Sequence, residues 1–181
     1  MEKKRVSKTN LQVKDEMYKA LCRLLKEKKP SEVSVSDLTA EANVSRMSFY
    51  RNYNTIEDVL TEHLDEIVED YRKEDMLIET EGELYCGKKY TEHCFDYFYR
   101  YRDFLNTLTE SGMGELFLAR ITEYLIQKWV KEETDISGKI AMSAFAGAIY
   151  NTYRFWKRNS FQMSPKELAQ ILTVERKNSN E

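Results

Sequence analysis

Two prolines and six glycines in 181 residues leave the chain few places to turn, so long helices are the natural use of what remains. The apolar residues agree. They recur at three- and four-residue intervals, and no segment alternates with period two for more than a few residues. The expected fold class is all-α, with about nine helices. A hydrophobic fraction of 41% beside a charged fraction of 33% belongs to a globular chain with an ionic surface, not a disordered one. No run of about 18 apolar residues occurs, so no membrane partner is expected. The opening MEKKRVSKTN lacks the apolar stretch of a secretory signal. Cys22, Cys86 and Cys94 are too irregularly spaced for a disulfide framework, which points to a reducing cytoplasm.

Val13, Met17, Leu21, Leu24 and Leu25 predict a first helix within 10–29, stopped by Lys28-Lys29-Pro30. Ser34-Val35-Ser36-Asp37 has the form of a capping box ahead of a short helix carrying Leu38 and Ala42. Asn43 suits a left-handed turn position, and Ser45 can cap a second short helix ending near Tyr53. Apolar residues from Ile56 to Tyr71 predict a long amphipathic helix over 55–74. Residues 75–87, with Gly82 and Gly87, read as a loop or a frayed helix end. An aromatic-rich helix over 88–108, with a kink near Tyr101, is followed by helices over 115–132 and 136–159. Ser164-Pro165-Lys166-Glu167 then opens a last helix: N-cap, proline at the first position, glutamate at the third.

The net charge of −3 is misleading as a sum. Residues 1–53 hold twelve basic against seven acidic side chains, +5, and residues 54–181 hold sixteen against twenty-four, −8. A basic head on an acidic body approaches a polyanion with one end only. Residues 10–53 also meet the requirements of a helix-turn-helix, in which the second short helix enters the major groove. The turn has a residue tolerant of positive φ (Asn43), a buried aliphatic (Val44) and a small contact residue (Ala42). The helix after it carries short hydroxyls and planar donors: Ser45, Arg46, Ser48, Tyr50, Arg51 and Asn52.

The run from Ser34 to Tyr53 resembles the signature of the TetR family of transcriptional regulators, roughly T-V-x-D-I-A-x-x-A-G-V-S-x-G-T-F-Y-x-H-F. Matches fall at Ser34, Asp37, Leu38, Ala42, Val44, Ser45, Ser48, Phe49, Tyr50 and Tyr53. The departures are Asn43 for the turn glycine, Met47 for the glycine inside the second helix, Asn52 for the histidine and Ile56 for the lysine that opens the next helix. Met47 adds bulk where that helix would meet DNA. The resemblance implies that Ser36, Ser45, Ser48, Tyr50 and Tyr53 grip phosphates, which sets register without reading sequence. It makes Arg46, Met47, Arg51 and Asn52 the candidates for base edges, Arg suiting guanine and Asn adenine. Tyr50 and Tyr53 serve equally as packing residues. Phe49 belongs to a small core with Leu21, Leu25, Leu38 and Val44. Lys3, Lys4, Arg5 and Lys8 form either a DNA-reaching arm or a plain basic tail.

The expected organisation is a helix-turn-helix DNA-binding domain at 1–54, with its basic arm at 1–9, and a helical ligand-binding and dimerisation domain at 55–181. The resemblance implies a bacterial, cytoplasmic, homodimeric repressor that binds a palindromic double-stranded DNA operator and is released by a small-molecule effector. An activator or co-activator whose body binds a protein partner is the alternative within the family; a helical enzyme or adaptor without DNA binding is the alternative outside it. Phe145, Ile149, Trp156, Leu168, Ile171 and Leu172 are the candidates for a two-fold interface, and serve as well in a monomer's core. Tyr97, Phe98, Tyr101, Phe104 and Tyr124 are the candidates for an effector pocket, because tyrosine-rich walls offer polar anchors; they also fit ordinary packing. Cys86, His93 and Cys94 lack zinc spacing, so no metal or cofactor is expected. With no nucleophile elbow, phosphate loop or H-E-x-x-H, the chain is not expected to be an enzyme.

Overall fold

A computed structural model of the chain describes residues 9–77 and 87–173. The expected basic arm up to Lys8, most of the expected loop at 75–87 (with Tyr85 and Cys86) and the last eight residues lie outside them. The described residues form nine α-helices, one short 3-10 turn at Pro30–Glu32 and no strand. No helix among them is long and apolar enough to cross a membrane. The chain divides into two compact units, residues 1–66 and 67–181.

The first unit begins with α1 (Asn10–Leu24), followed by α2 (Val35–Glu41) and α3 (Arg46–Asn52), and includes the start of α4 (Ile56–Asp75). Thr9 caps α1 in a box with Gln12, a signal missed in the sequence. Ser34 and Asp37 exchange two hydrogen bonds of 3.1 Å at the start of α2, the expected capping box. At the end of α2, Val44 N–H donates to Thr39 C=O at 3.0 Å and Asn43 N–H to Ala40 C=O at 3.1 Å. This double closure needs a left-handed residue between them; Asn43 supplies it with φ of 51°. Ser45 Oγ then accepts from Ser48 N–H at 3.0 Å and starts α3. Met17, Ala20, Leu21, Leu38 and Phe49 are fully buried, whereas Leu25 and Val44, expected in that core, are only half-buried. They sit at helix ends, where solvent reaches one flank.

The second unit holds the rest of α4, then α5 (Lys88–Arg100), α6 (Arg102–Glu110), α7 (Gly114–Trp129), α8 (Ile136–Arg158) and α9 (Pro165–Leu172). The expected kink is a full break: Tyr101, at φ −100° and ψ 15°, separates α5 from α6. Helix α5 packs on α9, and α7 packs on both α6 and α8. A side chain at Gly114 would run into the Tyr150 hydroxyl, so the placing of that hydroxyl over the start of α7 depends on the glycine. Ser164, Pro165 and Glu167 cap α9 as expected. The interior is largely aromatic, with Phe95, Tyr97, Phe117 and Tyr153 almost wholly enclosed.

The Asn43 geometry sets the first test. A β-branched residue forced to positive φ costs about 1–2 kcal/mol, so Asn43→Val lowers unfolding stability by about that amount, whereas Asn43→Gly leaves it within about 0.5 kcal/mol. Urea denaturation followed by circular dichroism measures both.

Candidate nucleic-acid interface

Seven residues make α3, too few for a helix to stand by itself in water. Phe49 roots it: the ring is fully buried, with Tyr50 edge-on at 5.4 Å and Tyr53 at 5.8 Å between centroids. With Phe49 inward, the opposite face is fixed. Arg46, Met47, Tyr50 and Arg51 all project outward, Met47 being 72% and Tyr50 60% exposed. Their spacing of one and four residues makes them a single patch. Ser45 and Ser48 lie at the α3 N-terminus with their hydroxyls 2.9 Å apart. Arg46 donates to the Ser36 hydroxyl, which brings the start of α2 beside that patch.

Two expected contact residues are placed differently. Tyr53 is buried and its hydroxyl donates to Glu62, which also takes Lys14, so it clamps α1, α3 and α4 together instead of facing outward with Arg51. Burial and the Glu62 carboxylate both push its phenol far above the ordinary value. Asn52 is half-buried and returns its side-chain amide to Ser48 C=O at 2.8 Å.

Beside this clamp lies a cavity of about 150 Å³ lined by Lys14, Tyr18, Tyr53, Glu62, His63 and Glu66 among others. His63 stacks on Tyr18 at 3.7 Å, with Nδ1 3.3 Å from Glu66. Burial holds its imidazole below the ordinary value, although Glu66, Asp15 and Glu62 pull the other way.

In the second unit, the expected pocket residues pack on one another. Tyr97 lies 4.8 Å from Tyr101 and 4.9 Å from Tyr71, and its hydroxyl donates to Ile67 C=O at 2.8 Å. Phe98 meets Phe117 at 5.1 Å, and Phe104 is buried. Tyr124 joins them through Tyr71, edge-on at 5.3 Å, and its hydroxyl donates to the buried carboxylate of Asp75. Asp75 was missed in the sequence. The available signal was an acid continuing the apolar series Leu64, Ile67 and Tyr71 at helical spacing.

The expected interface residues also separate. Ile149, Trp156 and Leu168 are buried within the protomer, and the indole of Trp156 donates to Met163 C=O at 2.8 Å, so these three are core. Phe145 and Leu172 are half-buried and Ile171 is exposed. The outward face of α8 is instead a stripe of Ile136, Ile140, Ala144 and Phe155. Ile140 is 65% and Phe155 68% exposed.

Residues 88–174 match the family model of the TetR-type transcriptional regulator C-terminal region. By this match the C-terminal half of the chain is of the TetR transcriptional-regulator type. Solved structures share the fold. Lin0861 from Listeria innocua is similar with a TM-score of 0.72 at 15% identity, over 94% of this chain and 92% of that one. A TetR transcriptional regulator from Streptococcus agalactiae 2603V follows with a TM-score of 0.59 at 21% identity, over 90% and 92%. The fatty acid degradation regulator FadR from Bacillus halodurans is similar with a TM-score of 0.58 at 15% identity, over 87% and 94%. No curated protein matches the sequence.

The His63 environment carries a pH consequence. Its folded pKa is depressed, so as pH falls below about 6.5 the unfolded chain takes up a proton that the folded chain does not, and stability declines towards the folded pKa. His93, also lowered chiefly by burial, acts in the same direction. Urea midpoints therefore fall between about pH 7 and pH 5.5. His63→Phe, which keeps a ring on Tyr18, flattens that limb.

Proposed function

We propose that this regulator is a homodimeric repressor that binds a palindromic operator and is released by a small-molecule effector. One observation carries the reading: a short helix rooted by Phe49 presents Arg46, Met47, Tyr50 and Arg51 as one exposed patch on the basic segment 1–53. That patch is the right size and charge for a major groove. Residues 1–54 are the DNA-binding domain, with the arm at 1–9, and residues 55–181 the regulatory and dimerisation domain. Ser36, Ser45, Ser48 and Tyr50 take phosphates; Arg46, Met47 and Arg51 read base edges.

Two half-sites one helical turn apart require two heads. The stripe of Ile136, Ile140, Ala144 and Phe155, with Ile171 of α9, is the surface that supports pairing, since a large apolar face left in water is unfavourable. Small Ala144 and Ala148 permit close backbone approach.

Titration of the full-length protein with DNA from upstream of its own gene tests the operator. Binding weakens steeply with salt, with about 0.9 log unit per log salt for each phosphate neutralised. Arg51→Ala loses about 10–100-fold in affinity for the specific site, the worth of one bidentate guanine contact. Equal affinity for operator and scrambled DNA at low salt defeats the reading. In a reporter strain, deletion of the gene raises expression from the operator promoter for a repressor and lowers it for an activator.

Pairing has its own test. Phe155→Glu places a charge in the stripe and converts the dimer to a folded monomer, read by light scattering coupled to size exclusion. A variant that stays dimeric removes α8 from the interface.

A further inference from the structure

Asp75, the last residue of α4, has a fully buried side chain. A carboxylate so placed is tolerated only with a cation and several donors. Its Oδ2 has both: the ammonium of Lys128 and the hydroxyl of Tyr124. Its Oδ1, equally buried, has no hydrogen-bond partner among the described residues. The same holds for the indole N–H of Trp129, whose ring lies beside Tyr90 and the Lys128 ammonium. Native interiors leave few polar atoms in this state, and a group of them in one place calls for a missing polar partner.

The surroundings say what kind. The Lys128 ammonium lies 4.6 Å from the centroid of Tyr90 and 5.1 Å from that of Trp129, and those two rings stand at 89° to each other, 5.8 Å apart. Perpendicular aromatic faces over a carboxylate make a box for an ammonium group. At present the box is filled from within. Lys128 reaches it on a long flexible stem from the last turn of α7 and keeps 23% of its side chain exposed, so the ammonium can withdraw into water. If it does, Asp75 requires another positive charge. A neutral molecule would leave the carboxylate without a counter-charge, and an anion would oppose it.

We propose that the Asp75–Tyr90–Trp129 box is the effector site and that its effector is a small organic cation whose ammonium group displaces that of Lys128. The charge balance is unchanged by the exchange. Oδ1 of Asp75 gains a donor, and a polar group on the rest of the ligand meets the Trp129 N–H. This assignment rests on the reading of residues 55–181 as an effector-binding body.

Three probes of one size and three charges test it on the free, full-length protein: benzylammonium, benzyl alcohol and benzoate. Benzylammonium raises the melting temperature and shifts tryptophan emission, whereas the alcohol and the acid do neither. Lys128→Met removes the tethered competitor and tightens benzylammonium binding about tenfold or more. The double variant Asp75→Asn, Lys128→Met, with no buried charge to satisfy, loses the response. Should Lys128→Met alone fail to fold, its refolding is followed at rising probe concentration; recovery with benzylammonium and not with benzyl alcohol supports the assignment. Equal responses to amine and alcohol, a response retained in the double variant, or a Lys128→Met protein indifferent to the amine overturns it. Since no DNA is present, the result stands apart from whether an operator is bound.

Discussion

Burial of Phe49 is the interaction on which the presentation of α3 depends. A helix of seven residues gains too little from its own hydrogen bonds to persist. Rooting one large ring in the core between α1 and α2 both holds the helix and sets its rotation, since Arg46, Met47, Tyr50 and Arg51 are outward only because Phe49 is inward. The turn before it serves the same end. Asn43 in a left-handed conformation lets α2 close on Val44 and Asn43 amides, and Ser45 starts α3 without a wasted residue. A glycine there would be looser in the unfolded chain, so asparagine is a reasonable occupant of this position.

Features whose cause lies within three or four residues were legible from the chain alone. The caps at Ser34, Ser45 and Ser164 belong to this class, because a hydroxyl meets a backbone amide one turn away, as does the backbone closure at Asn43; the Thr9–Gln12 box of α1 is the exception. The rotation of α8 was not legible. Its apolar residues run around most of the circumference, so periodicity alone does not say whether Ile149 and Trp156 or Ile140 and Phe155 face the core. In the fold α8 packs on α7 with Ile149 and Trp156 inward. Tyr53 was ambiguous for a similar reason: its partner Glu62 lies in the next helix, and nothing near Tyr53 in sequence announces that the hydroxyl is already given away.

The same local arrangement occurs twice on α4, and the difference between the two is instructive. Glu62 is shared by the Tyr53 hydroxyl and the Lys14 ammonium; Asp75 is shared by the Tyr124 hydroxyl and the Lys128 ammonium. Glu62 keeps 34% of its side chain exposed, whereas Asp75 keeps none. Water can therefore replace either partner of Glu62, and breaking that ion pair costs on the order of 1 kcal/mol or less. Nothing comparable can solvate Asp75, so its negative charge depends on a cation beside it while the identity of that cation is open. A site with this property is stable in either of two occupied states and unstable when empty. A fixed requirement for charge, combined with a flexible residue as its present supplier, is the physical basis on which a binding event can be traded for an internal contact instead of being added to it.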